Sequence, residues 1–153
     1  MSNTVVELPS LQGGSDSATS TSATGYVTGG GLSPSDNRFH ATLWDPQNAV
    51  TDLGTWSGSS CLLTGGVCPT TAWGVDSCGM TVVGSAQVDF STSPADTRAM
   101  LFHNNNVYDL NTRITSTDWT LYAARSINDA GVIVGYGIWS GGSGIRAFRL
   151  VPT

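Results

Sequence analysis

Apolar positions in this chain fall in short runs closed by Gly, Asn, Asp or Pro, and the runs recur. The stretch Ala124-Arg125-Ser126-Ile127-Asn128-Asp129-Ala130-Gly131-Val132-Ile133-Val134-Gly135 is echoed by Ala72-Trp73-Gly74-Val75-Asp76-Ser77-Cys78-Gly79-Met80-Thr81-Val82-Val83-Gly84, with one extra residue after Gly79. A fainter copy reads Ala18-Thr19-Ser20-Thr21-Ser22-Ala23-Thr24-Gly25-Tyr26-Val27-Thr28-Gly29. A second element follows each copy: His40-Ala41-Thr42-Leu43-Trp44, Arg98-Ala99-Met100-Leu101-Phe102 and Arg146-Ala147-Phe148-Arg149-Leu150. A third element reads Val50-Thr51-Asp52-Leu53-Gly54 and Val107-Tyr108-Asp109-Leu110-Asn111, with Val5-Val6-Glu7-Leu8-Pro9 as a further copy at the start. Asp45-Pro46-Gln47-Asn48 and Asn104-Asn105-Asn106 separate the second and third elements; Asn and Asp tolerate the left-handed region and Pro presets φ, so both predict hairpins.

Each unit therefore reads as four short strands, and units of about 40–50 residues built this way have the size of propeller blades. The expected division is 10–54, 55–111 and 112–153, with a strand over 4–9 completing the last unit. The fold expected is all-β and propeller-like. Three blades are too few to close a ring, since propellers typically hold about four to eight. Two chains related by a twofold axis would supply six, so a homodimer is expected. A β-trefoil or β-prism monomer is the alternative that the same threefold arithmetic allows.

Composition sharpens this. Only 11% of the 153 residues are charged, there is no Lys, and Glu7 is the single Glu, which nearly excludes a helix-rich fold. The net charge is −5 and the six Arg are scattered, which argues against a nucleic-acid partner. No apolar run approaches the roughly 20 residues of a membrane helix. The start lacks the basic and apolar regions of a signal peptide, so the chain is expected to be the mature part of a secreted protein or one made without export. Cysteine usage leans towards export: Cys61 and Cys68 bracket a loop holding Gly65 and Gly66 and could pair, leaving Cys78 over, while three free thiols are the alternative.

The units resemble the HAF repeats, an extracellular bacterial repeat family. The carriers are Ser126-Ile127-Asn128-Asp129-Ala130-Gly131-Val132-Ile133-Val134-Gly135, His40-Ala41-Thr42-Leu43-Trp44 and Thr51-Asp52-Leu53-Gly54-Thr55-Trp56-Ser57-Gly58. The likeness is strong in the last third and degraded in the first unit, where Ser22 and Ala23 replace Asn-Asp. The insertion holding Cys61 and Cys68 departs from the pattern. The resemblance implies a β-propeller-like protein of the cell exterior or envelope and implies no reaction.

Signatures of nucleophile elbows, Walker loops, zincins and EF-hands are absent. The repeats place Ser22, Asp76 and Asn128 at equivalent positions facing a ring axis, with Asp129 adjacent. Oxygen ligands converging there would suit a divalent metal ion, and a bound ion could activate water for ester or phosphoester hydrolysis. The competing expectation is that these side chains cap turns by accepting backbone N–H groups. His40 and His103 are the candidate general bases, although His40, sharing its position with Arg98 and Arg146, is expected to pair with a carboxylate such as Asp52 or Asp109 in the neighbouring strand. Trp73 and Trp139, beside Gly and Ser, are candidates for stacking on a sugar, and Arg125 is expected either to meet an anionic ligand or to pair with Asp129. Two functions follow: an extracellular scaffold that binds a glycan or small molecule, and a metal-dependent hydrolase with its site in the axial channel or dimer seam.

Overall fold

The structure, a computed structural model, describes residues 2–11, 14–63, 65–89 and 96–153. Its elements are β1 (Asp16–Thr21), β2 (Val27–Leu32), β3 (Phe39–Trp44), β4 (Val50–Gly54), β5 (Thr70–Val75), β6 (Thr81–Gln87), β7 (Thr97–His103), β8 (Asn106–Asp109), β9 (Trp119–Ile127), β10 (Ile133–Trp139) and β11 (Ile145–Leu150), with one 3-10 turn at Leu110–Thr112. They form three separate antiparallel sheets in the orders β1-β2-β3-β4, β5-β6-β7-β8 and β9-β10-β11. One sheet lies in each of the spans 10–54, 55–111 and 112–153. The chain is all-β, and no barrel joins the sheets among the described residues, so the trefoil alternative is not what forms.

The same turn opens every sheet. Gly25, Gly79 and Gly131 take φ of 94°, 70° and 74°, values that L side chains rarely adopt. Four residues before Tyr26, Met80 and Val132, the side chains of Ser22, Asp76 and Asn128 accept those residues' backbone N–H groups at 3.1, 3.0 and 3.0 Å. The last hairpins of the first two sheets turn on asparagines, with Asn48 at φ 64° and Asn104 and Asn105 at 52° and 59°.

A second shared device is a bulge in each first strand. Ala18 pairs Gly29 while Ser20 pairs Thr28, so Thr19 is the extra residue. Trp73 is extra between Ala72 and Gly74, and Arg125 between Ala124 and Ser126. The bulge brings a first-strand carbonyl against the glycine of the second strand. A Cβ on Gly29, Gly84 or Gly135 would overlap the carbonyl oxygen of Ser17, Thr71 or Ala123, respectively. The recurring Val-Gly of the sequence is the mark of this close approach.

The middle sheet packs both its faces. Val82, Ala72, Met100 and Phe102 meet Ala41 and Leu43 of the first sheet, together with Leu63 and Cys68 of the inserted loop. Val83 and Ala99 meet Leu121, Ala124, Ile127, Ile133 and Phe148 of the third. Cys61 and Cys68 are disulfide-bonded, and Cys68 also bridges Trp56 through paired backbone hydrogen bonds of 3.0 and 2.7 Å. Cys78 is free and exposed. The disulfide fits an oxidising compartment. Among the described residues, no helix is long and apolar enough to cross a membrane.

One expectation is corrected. The segment over 4–9 forms no strand and does not complete the third sheet, where β11 stays at an edge. Its Pro9 carbonyl instead accepts the Trp44 indole N–H at 2.7 Å. Trp44 lies on the face of the first sheet turned away from the second, because strand alternation sets it opposite Leu43. The anchor holds the segment at the far end of the three-sheet stack from β11.

Candidate functional site

The three bulged residues share one side of the stack. A bulge re-aims its side chain out of the strand's alternation. Arg125 of β9 lays its guanidinium 4.2 Å from the centroid of the Trp73 ring of β5 and 5.3 Å from that of Tyr136. The Trp73 indole N–H donates to Ser85 Oγ at 2.9 Å, and Arg125 Nη2 stands 3.5 Å from the Tyr136 hydroxyl. Ser85 and Tyr136 follow Gly84 and Gly135, so bulged residue and partner occupy the same repeat columns in both sheets. In the first sheet that partner column holds Gly30, which has no side chain to bond, and the Thr19 hydroxyl donates to the Ala72 carbonyl at 2.6 Å instead.

A groove of about 520 Å³ opens over this stack, walled by Phe39 and Pro69 and furnished with Thr71, Ser85, Gln87 and Thr97. Phe39 is exposed, Trp73 and Tyr136 are half-buried and Arg125 is exposed. No carboxylate among the described residues stands within salt-bridge reach of Arg125. Its charge is presented between two aromatic faces with its donors open to the groove. Of the three residues expected to bind ligand, Trp73 and Arg125 meet here. Trp139 does not: it ends β10, pairs in register with Trp119, and lays its ring against Gly141 of the following turn.

The histidines share a different cavity of about 450 Å³, with Asp52, Asn105 and Asn106. His40 is only 6% exposed. Its Nδ1 faces Asp52 at 2.7 Å and its Nε2 faces Asp36 at 2.9 Å. The carboxylate pairing expected of His40 is present, and with both ring nitrogens engaged neither is free to take a proton from a substrate. His103 Nδ1 lies 3.1 Å from the Met80 carbonyl and 3.3 Å from the Thr81 hydroxyl.

The candidate metal ligands are spread over the turns. Asp76 Oδ1 accepts the Met80 N–H, and Asn128 Oδ1 accepts those of Ala130 and Val132 at 3.1 and 3.0 Å. Asp129 Oδ1 accepts the Ser77 N–H at 2.7 Å, tying the third sheet's first turn to the second's. That bond holds the Asp129 carboxyl below its usual 3.8. Ser22, Asn128 and Asp129 line one cavity of about 270 Å³, with Asp76 outside its lining. No group of three or more His, Cys, Asp or Glu suited to a metal ion occurs among the described residues.

Reading the sequence missed Tyr136, Phe39, Ser85 and Asp36. The signal for Ser85 and Tyr136 was the column after the repeat glycine, one step from the glycine that marks the bulge. Compared with protein-family models, with curated proteins and with solved structures, the chain matches none.

Proposed function

We propose that this chain is an extracellular, propeller-like repeat module that binds acidic carbohydrate in the groove over Trp73, Arg125 and Tyr136. The observation that carries the reading is the Arg125 guanidinium, stacked on Trp73 and without a carboxylate partner among the described residues. Such a guanidinium has a fixed plane and donors that match a carboxylate in bidentate fashion. Phe39 and Pro69 supply apolar wall, and Ser85, Gln87, Thr71 and Thr97 supply hydroxyl and amide groups, the mixture a sugar ring requires. The likeness to HAF repeats and the disulfide support an exterior location. Three stacked sheets amount to half of a six-bladed ring, which supports a homodimer. The metal-assisted hydrolase has no comparable support: the Asp76 and Asn128 oxygens cap turns, and His40 is held by Asp36 and Asp52.

Tryptophan fluorescence and calorimetric titration with uronic-acid oligosaccharides and neutral oligosaccharides of equal length test the reading. Saturable binding that favours the acidic series is expected. Arg125→Met is expected to remove that preference, a loss of about tenfold or more, while leaving the fold intact. No saturable binding of either series, or a preference unchanged in Arg125→Met, would overturn it.

A further inference from the structure

The third sheet leaves its outer face and its β11 edge open. Repeat columns identify what each uncovered surface would be doing if another sheet followed. Ala41 and Ala99 are fully buried where the first sheet packs on the second and the second on the third, whereas their counterpart Ala147 is exposed. Val83 is 0% exposed and its counterpart Val134 is 41% exposed. With Tyr136 and Ile145, these residues make the outer face of the third sheet, the face that the other two sheets bury. At the opposite end, Trp44 is the counterpart of Phe102, which faces the preceding sheet, but it is only 1% exposed there, its indole N–H held by the Pro9 carbonyl of the N-terminal segment.

The third sheet also lacks the fourth strand that its companions have. In them, Val50 pairs Trp44 and Thr51 pairs Leu43, while Val107 pairs Phe102 and Tyr108 pairs Leu101. Transferred to β11, that register sets Val5 beside Leu150 and Val6 beside Arg149. Val5 is 96% exposed and Val6 is exposed too. The columns then add a charge match. Glu7 occupies the position of Asp52, and Arg146 that of His40, the pair that meets at 2.7 Å in the first sheet. Glu7 and Arg146 are both exposed here.

Residues 5–8 cannot reach β11 of their own chain while Pro9 is bonded to Trp44. Packed sheets lie about 10 Å apart, so the third sheet stands roughly 20 Å from the first. Leu8 lies within about 3.8 Å of Pro9, and even fully extended chain carries residue 5 only about 15 Å away.

We propose that residues 5–8 of one copy add as the fourth strand to β11 of a second copy, with Glu7 paired to Arg146, so that the third sheet of the second copy meets the N-terminal segment laid over Trp44 of the first. The inference rests on the half-ring reading and specifies its seam. Exchanged twice around a twofold axis, the strand covers both open β11 edges.

The test is charge reversal in the full chain, read by sedimentation equilibrium. Wild type is expected to sediment at twice the mass of one chain. Glu7→Arg and Arg146→Glu, each alone, place like charges at both seams and are expected to weaken the dimer by about tenfold per seam, roughly a hundredfold in all. Mixed together, the two variants regain opposite charges at both seams, so a heterodimer of wild-type affinity is expected. Far-ultraviolet circular dichroism confirms that each variant keeps its fold. Variants that dimerise as wild type does, or a mixture that regains nothing, would overturn the strand exchange and leave a dimer standing. A wild type that stays monomeric at high micromolar concentration would overturn the dimer as well, and neither result bears on the sugar titration.

Discussion

Gly84→Ala tests the bulge that aims Trp73 into the groove. The added Cβ would overlap the Thr71 carbonyl oxygen and stand 3.0 Å from the Thr71 carbonyl carbon and 3.1 Å from Ala72 Cα. These are backbone atoms, so no side-chain rotation relieves them. Against ordinary contact the overlap is short by roughly 1 Å, and β5 would have to move away from β6 by that much. Ladder hydrogen bonds near 2.9 Å stretched by ~1 Å pass the limit of a useful bond. Losing two at about 1 kcal/mol each, with about 1–3 kcal/mol of overpacking, predicts destabilisation of about 3–5 kcal/mol. That is a large part of the roughly 5–15 kcal/mol that holds a domain together. Urea denaturation measures it as a fall in midpoint at unchanged slope. Gly30→Ala is the control: its Cβ would find nothing nearer than the His40 carbonyl oxygen at 3.5 Å and the Thr71 side chain at 3.7 Å. It is expected to cost less than about 1 kcal/mol. A Gly84→Ala cost no greater than that of Gly30→Ala would refute the bulge argument.

Two further outcomes follow from the same geometry. Cys61→Ser with Cys68→Ser opens a loop of about 8 residues, which loop-closure entropy values at about 2.5 kcal/mol. Cys68 is fully buried, so thermal unfolding of the double variant should fall at least that far, and an unchanged melting temperature would show that the bridge stabilises nothing. Asp129 contributes to the acid limb. Its folded carboxyl titrates below the usual 3.8 because the Ser77 N–H bonds the charged form. A depressed folded value means that the stabilisation is fully present above the unfolded pKa and is lost as pH falls through the folded one. Stability should therefore decline below about pH 4, and Asp129→Asn should flatten that part of the profile when midpoints are compared between pH 3 and 6. A wild-type profile retained in Asp129→Asn would move the acid sensitivity to another carboxylate.

The repeats made the sheets legible because each strand's job recurs three times, so a weak local signal such as Val-x-Asp-Leu gains weight from its copies. What the copies share is scaffold: the side-chain-capped turn at Ser22, Asp76 and Asn128, the bulge opposite Gly29, Gly84 and Gly135, and the asparagine hairpins. The groove was legible only in part because it is built from what the copies do not share. Thr19, Trp73 and Arg125 stand in one column, yet their chemistries differ, and only the bulge puts Trp73 and Arg125 face to face across two sheets. A column of unlike residues at a bulge repeated within one chain is thus a better pointer to the groove than the carboxylates and amides of the turns. Those looked like ligands because they recur in the repeat, but Asp76 Oδ1 and Asn128 Oδ1 accept backbone N–H groups of their own turns. The N-terminal strand failed for a related reason. Its pattern matches that of a fourth strand, but pairing needs an edge within reach, and the hydrogen bond from Trp44 to Pro9 sets residues 5–8 at the other end of their own chain. The proposed exchange with a second copy starts from that same hydrogen bond.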